Sequence, residues 1–375
     1  MPHPLIEPTI HLAALAGLAV AAGVCVALVL TSRWHGHLTM DSMHGVQKVH
    51  QAPTPRVGGV AIVLGLLAAW LLLPGDAGKL LGQMLLAAVP ALLFGLVEDV
   101  TKRVGVRDRL LATLVSGVLA WWLTGYSLTR VDVWGVDWLL AWLPLSVLFT
   151  AFAVGGAANA INIVDGMNGL AGGALTIAFA AMGAIAWQVG DVTLTSLCVV
   201  FAAVTLGFLV VNFPLGRIFL GDGGAYLMGF LMGWVAILLP MRNEAVSVWS
   251  TLMACAYPIL EVGFSIWRRH RREGHHPGAP DRVHLHQLVY RRVVPLLMPH
   301  GSRPLRNGVA ALVVLPFALM CGAVAVLAYG QTAVLVACFV LDVLLYRAVY
   351  FRVSQFRWCM SPATMWRQQG TEVQA

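Results

Sequence analysis

Long apolar runs alternate with short polar ones along the whole chain. A helix that crosses a bilayer needs about 20 apolar residues, with a range of roughly 17 to 25. Eleven runs fit: 11–30, 57–73, 80–97, 110–125, 138–158, 170–187, 193–213, 224–240, 248–267, 308–329 and 332–350. Those at 110–125 and 224–240 are short. The pattern predicts an all-α, polytopic integral membrane protein. It forms one transmembrane domain over 1–375, a helical bundle to about 351 followed by a polar tail over 352–375. No Lys or Arg precedes the first run, so it reads as a retained helix with its N-terminus outside.

Composition agrees. The 375 residues are 59% hydrophobic and 11% charged, against about 25% charged in a soluble domain. The formal charge of +7 could indicate nucleic acid, but its placement points elsewhere. With the N-terminus outside, only Lys79, Arg130 and Arg242 of the 24 Lys and Arg residues fall on outer connections. The rest mark the inner side, as the positive-inside rule requires, and their partners are membrane lipids and anionic ligands. The six cysteines form no CxxC, and five lie in apolar runs, so they read as small apolar residues.

Five inner loops carry the chemistry: 31–56, 98–109, 159–169, 212–223 and 268–307. The central one contains Asn159, Asn162, Asp165 and Asn168, spaced by three so that amides and a carboxylate share one small surface. In the first loop, Lys48, His50 and Arg56 can face an anionic ligand or simply anchor the inner side. In the second, Glu98 and Asp99 end a helix, where negative charge is disfavoured. They read as metal ligands, as a base, or as salt-bridge partners of Lys102 and Arg103. In the fourth, Asp222 sits within GDGG at a helix start. Backbone amides there favour phosphate, and a carboxylate among them fits Mg²⁺ or an N-cap. The last loop holds Arg282, His284 and His286. A spacing of two without cysteine argues against structural zinc. Its Arg268–Arg272 stretch reads as headgroup contact. Glu261 and Asp342 lie within runs; Glu261 is expected near the inner boundary and Asp342 beside Arg347.

Together, carboxylates, amides, a glycine turn and cations on one face suit Mg²⁺-dependent chemistry on a diphosphate, with a lipid as one substrate. Five segments, KVHQAPTPRVGG, GLVEDVTK, NAINIVDGMNGL, FLGDGGAY and PDRVHLHQL, carry a closer likeness. In that order they resemble the polyprenyl-phosphate N-acetylhexosamine-1-phosphate transferases, in particular the bacterial undecaprenyl-phosphate GlcNAc-1-phosphate branch. The resemblance implies transfer of a sugar 1-phosphate from a UDP-HexNAc to undecaprenyl phosphate, releasing UMP. It implies Mg²⁺, with Mn²⁺ as a substitute, at the cytoplasmic face of the bacterial inner membrane, and it allows a homodimer. By matched position, Asp222 and Asp99 are metal ligands. Asp99, Asp165 and Glu98 are the catalytic acids. Lys48, His50, Lys102, Asn162, Asn168, Phe219, Arg282, His284 and His286 bind substrate. Glu98 and Asn168 stand where the family pattern has Asp, and Gln287 where some members have a third His.

Two relatives in chemistry and one in topology compete. The PTPRVGG segment departs from the phospho-MurNAc-pentapeptide translocases. An intramembrane aspartyl protease needs GxGD, but Phe219 stands two before Gly221. A transporter with an ion-coupling acid site, the alternative class, should place its acids near the midplane and repeat its helices inverted; most acids here lie at the inner edge, and no inverted repeat is visible.

Overall fold

The computed structural model describes residues 8–41, 53–271, 281 and 283–356. In chain order the first helices are α1 (Pro8–Leu30), α2 (Ser32–Thr39), α3 (Gly58–Leu72), α4 (Gly75–Thr101), α5 (Val106–Thr124), α6 (Val136–Leu140), α7 (Leu143–Val164) and α8 (Leu170–Gln188). They continue with α9 (Val192–Asn212), α10 (Gly221–Arg242), α11 (Val248–Ala254), α12 (Ala256–His270), α13 (Leu285–Arg292), α14 (Val294–Leu297), α15 (Arg303–Leu327) and α16 (Thr332–Ser354). Strands β1 (Met40–Asp41) and β2 (Thr54–Pro55) pair antiparallel, with Met40 opposite Pro55.

The chain is an all-α polytopic membrane protein, and every expected apolar run is largely helical, the one at 138–158 being interrupted at Ala141–Trp142 between α6 and α7. Among the described residues, eight helices are each long and apolar enough to cross a bilayer, and the bent pair α11–α12 makes a ninth. Two of the eleven expected spans fall short of that measure for visible reasons. α3 has 15 residues, and α5 opens on Arg107, Asp108 and Arg109.

α10 is the hub. It is buried from Gly221 to Leu239 almost without interruption, and packs on α3, α4, α7, α8 and α11. A helix apolar on all sides belongs at the centre of a bundle. α1 and α16 stand at the rim, with most of their surface open to lipid. Close approach at one end of α10 depends on missing side chains. A Cβ on Gly59 of α3 would lie 2.4 Å from Gly224 N, and one on Gly95 of α4 would lie 2.6 Å from Gly223 Cα. Backbone bonds complete the join: Gly58 and Gly59 N–H donate to the carbonyls of Phe219 and Leu220, each at 2.9 Å, and Phe219 N–H donates to Pro55.

The expected span at 248–267 is broken by 82° between α11 and α12. Pro258 is the physical reason. Its ring clashes with the carbonyl four residues earlier and its nitrogen cannot donate, and that earlier residue, Ala254, is where α11 ends. A second correction concerns Arg268. Expected at the headgroups, it is buried, and its guanidinium donates to Val283 O at 2.6 Å and to Asp281 and Tyr350. Asp342 is buried too. Its carboxylate accepts from the Cys321 thiol at 3.3 Å, while Arg347 lies over the Trp267 and Phe351 rings rather than beside it.

The turn that starts α10 gives a test. Gly221 has φ +76°, and a Cβ there would meet Arg56 O and Asp99 Oδ2 at 2.6 Å. Gly190 has φ +78° but nothing near its Cβ direction. The left-handed backbone alone costs an L-residue about 1–2 kcal/mol. Gly221→Ala should therefore lower Tm in detergent well beyond Gly190→Ala. Equal losses would mean that the α10 turn yields to a side chain.

Candidate active site

Three carboxylates converge at the glycine-rich end of α10. Asp99 lies in the last turn of α4, Asp165 is the residue that ends α7, and Asp222 is in the first turn of α10. The sequence placed Glu98 and Asp99 at a helix end that repels negative charge. The fold offsets this by setting Asp99 against the N-terminus of a second helix, where negative charge is favoured. Asp99 is fully buried; its Oδ1 accepts from Asp222 N–H at 2.8 Å and its Oδ2 from Gly223 N–H at 2.9 Å. These are two of the donors a helix start leaves unpaired.

Asp222 is also buried, and its oxygens meet cations from two other elements. Arg56 and Asn162 donate to Oδ1, the latter at 2.9 Å, and Arg109 donates to Oδ2. Arg56 Nε is 3.4 Å from Asp99 Oδ1 as well. The Asp165 carboxyl is pushed well above the usual carboxylate range by burial. Arg56 pulls it back in part, while Asp222 and Asp99 raise it further.

The remaining expected residues divide into those at the cluster and those beside it. The Glu98 Oε2 accepts from Val104 N–H at 2.9 Å across the left-handed turn at Lys102. Lys102 is exposed and its Nζ donates to the Asp99 carbonyl at 2.7 Å. Phe219 is half-buried in the segment that ties α3 to α10. Asn168 is buried and faces backbone: its Nδ2 donates to Pro214 O at 3.0 Å and Pro304 O at 3.3 Å, and its N–H donates to Asn307 Oδ1 at 2.6 Å. Lys48, His50 and Arg282 lie outside the described residues. Arg109, 113 positions from its partner Asp222, was missed by sequence reasoning, because no local pattern shows a contact of that length.

The histidine segment closes the same end. His286 is fully buried, and its Nε2 sits where a Cβ on Gly166 would come within 2.8 Å, so it abuts the Asp165–Gly166 turn. Burial lowers the His286 pKa more than Glu261 raises it, so the ring is neutral near pH 7. His284 stacks on it, with centroids 5.5 Å apart and planes within 2°. Asp281 stays below its usual range: burial opposes ionisation, but His284, Arg268, the Val283 N–H and the Ser265 hydroxyl outweigh it.

Among the described residues no three His, Cys, Asp or Glu side chains surround one point as a ready-made metal cage. Mg²⁺ is ordinarily held by one or two carboxylates together with substrate phosphates. Asp222 and Asp99 are the two carboxylates that would hold such an ion; here the oxygens of Asp222 meet Arg56, Arg109 and Asn162, and those of Asp99 meet the Asp222 and Gly223 N–H groups.

The sequence model of glycosyl transferase family 4 matches residues 81–240. An undecaprenyl-phosphate alpha-N-acetylglucosaminyl 1-phosphate transferase of Yersinia pestis is 30% identical over 250 residues, 65% of this chain and 68% of that protein. The chain belongs to glycosyl transferase family 4. The enzyme of the same description from Salmonella typhi is 31% identical over 250 residues, 65% of this chain and 67% of its own. A probable undecaprenyl-phosphate N-acetylglucosaminyl 1-phosphate transferase of Bacillus subtilis is 29% identical over 252 residues, with coverage of 65% and 67%. The matched stretch of this family 4 chain includes Asp99, Asp165 and Asp222, and ends before the histidine segment.

Asn168 supplies the test of this geometry. In Asn168→Asp, a carboxylate would face the Pro214 and Pro304 carbonyls with no N–H to give. A lost buried partner of this kind costs about 1–3 kcal/mol. Tm should fall accordingly at neutral pH. The carboxyl's folded pKa would be raised above its unfolded value of about 3.9, so the deficit relative to wild type should shrink as pH falls through that raised value. An unchanged Tm would place the side chain elsewhere.

Proposed function

We propose that this chain is a phosphoglycosyltransferase. It moves a HexNAc-1-phosphate, GlcNAc-1-phosphate first among them, from a UDP-sugar to undecaprenyl phosphate. The products are undecaprenyl-diphosphate-sugar and UMP, and the step initiates a cell-surface polysaccharide at the cytoplasmic face of the bacterial inner membrane. The observation that carries the reading is the meeting of Asp99, Asp165 and Asp222 at the N-terminus of α10, at one end of an apolar bundle. The descriptions of the relatives support the lipid acceptor and the sugar. The concentration of Lys and Arg at that end supports the orientation.

In the reaction, an oxygen of the lipid phosphate attacks the β-phosphorus of the UDP-sugar. The bond from that phosphorus to the oxygen bridging the α-phosphate breaks, and the electron pair leaves with UMP. Mg²⁺, or Mn²⁺ in its place, would be held by Asp222 and Asp99 and would neutralise charge on the diphosphate. The chain itself supplies position and charge. Arg56, Arg109 and Lys102 balance the added phosphates. Asp165, whose carboxyl is made more basic than usual by burial, takes a proton from the lipid phosphate. Asp99 keeps Asp222 in register by gripping its backbone. Phe219 offers a face to uracil, and His286 closes the site over the Asp165–Gly166 turn.

Purified protein given radiolabelled UDP-GlcNAc, undecaprenyl phosphate and Mg²⁺ should form labelled lipid and UMP. Asp222→Asn, Asp99→Asn and Asp165→Asn should each lose about 10²- to 10⁴-fold in rate. Glu98→Gln should lose less, since its carboxylate meets Val104 N–H rather than the cluster. A Glu98→Gln enzyme as slow as Asp99→Asn would overturn this ranking. In a cysteine-free background, an impermeant thiol reagent added from outside should label a cysteine at Gly190 and miss one at Arg217, both exposed positions. The opposite result would invert the topology.

A further inference from the structure

Glu261 is a buried carboxylate that neither the cluster nor the proposed chemistry uses. It lies on α12, the half-helix set off by the break at Pro258, and is 1% exposed. Its Oε1 accepts from Leu285 N–H at 3.1 Å and lies 3.0 Å from His284 Nδ1. Its Oε2 has no hydrogen-bond partner, and lies 3.9 Å from His286 Nδ1. Such an atom is costly to leave unpaired in a buried setting.

The two histidines are not equivalent. His284 sits between carboxylates, with Nδ1 on Glu261 and Nε2 3.7 Å from Asp281 Oδ2. Both its nitrogens are thereby turned to residues of its own neighbourhood. His286 has neither nitrogen hydrogen-bonded; Nδ1 points towards Glu261 and Nε2 meets Gly166, next to Asp165. A neutral imidazole carries one N–H, and the group beside one nitrogen decides which nitrogen keeps it. A movement of about 1 Å would bring Nδ1 into hydrogen-bond range of Oε2.

We propose that Glu261 is a positioning residue that acts through His286. It keeps the proton on Nδ1 and so presents the Nε2 lone pair to the Asp165–Gly166 turn, while His284 clamps the segment in place. This rests on the transferase reading for what His286 then does, but the tautomer itself can be measured without it. Charge, not shape, is the required property, because a glutamine at 261 keeps an oxygen for Leu285 N–H and His284.

The experiment has two arms. Long-range ¹H–¹⁵N correlation on histidine-labelled protein, with His286 assigned by its Asn variant, should find the His286 proton on Nδ1 in wild type. In Glu261→Gln it should move towards Nε2. A wild-type proton on Nε2 overturns the proposal, whether or not the protein is active and whether or not the variant folds. In the transfer assay, Glu261→Gln should keep Tm and the KM for UDP-GlcNAc within about two-fold of wild type, with kcat down about ten-fold or more, as for loss of a group that handles a proton. His286→Asn should lose at least as much, and the double variant should be no slower than His286→Asn alone. Multiplied losses, or a Glu261→Gln kcat equal to wild type, would show that Glu261 does not act through His286. A wild type that transfers nothing from UDP-GlcNAc would count against the transferase reading, and the tautomer arm would still decide the role of Glu261.

Discussion

The grip of the Asp99 carboxylate on the first N–H groups of α10 is the constraint from which the rest of this end of the molecule follows. A carboxylate at the end of α4 is unfavourable for α4 and favourable for α10, so the two helices must meet end to start. That meeting leaves no room for side chains at Gly95, Gly223, Gly59 and Gly224. It also forces the chain into a left-handed turn at Gly221. Asp222 is then buried among Arg56, Arg109 and Asn162, from three different parts of the chain. Ionised groups are tolerated there because each is paired.

A second constraint brings the histidines to this rigid half. Pro258 ends the continuity of α11 with α12, and the 82° turn lets α12 carry Glu261 beneath Leu285 rather than straight on through the bundle. Arg268, about two α12 turns further on from Glu261, then holds Asp281 and Val283 at the start of the same segment. The two halves touch at Gly166, where His286 Nε2 packs on the turn after Asp165. A side chain at that glycine would separate them.

The membrane architecture was legible because each span is encoded locally, in about 20 consecutive residues. The ends of spans were less so. Glu98 and Asp99 lie past the apolar run, yet both are helical: Val104 N–H takes the Glu98 carboxylate, and the Asp99 charge is offset by N–H groups over a hundred positions away. The same limit explains Arg268: a run of arginines near a helix end reads as headgroup contact until the fold supplies a buried acid. The break at Pro258 was written in the sequence, but an apolar run that contains a proline can be read as kinked or as broken. The convergence of Asp99, Asp165 and Asp222 followed from recognising motif order, not from spacing.

The departures from the family pattern fall into place on this geometry. Glu98 stands where Asp is usual, and its extra carbon lets the carboxylate reach Val104 N–H across the Lys102 turn, away from Asp222. Asn168 stands where a second Asp is usual, and it donates to two carbonyls, which a carboxylate cannot do. Gln287 is buried on α13, one residue past the histidine that meets Gly166. At Asp99, Asp165 and Asp222, where the cluster converges, the chain keeps the expected acid. Substitution at the edges of the cluster is therefore compatible with an unchanged centre: Glu98 and Asn168 each serve the local backbone.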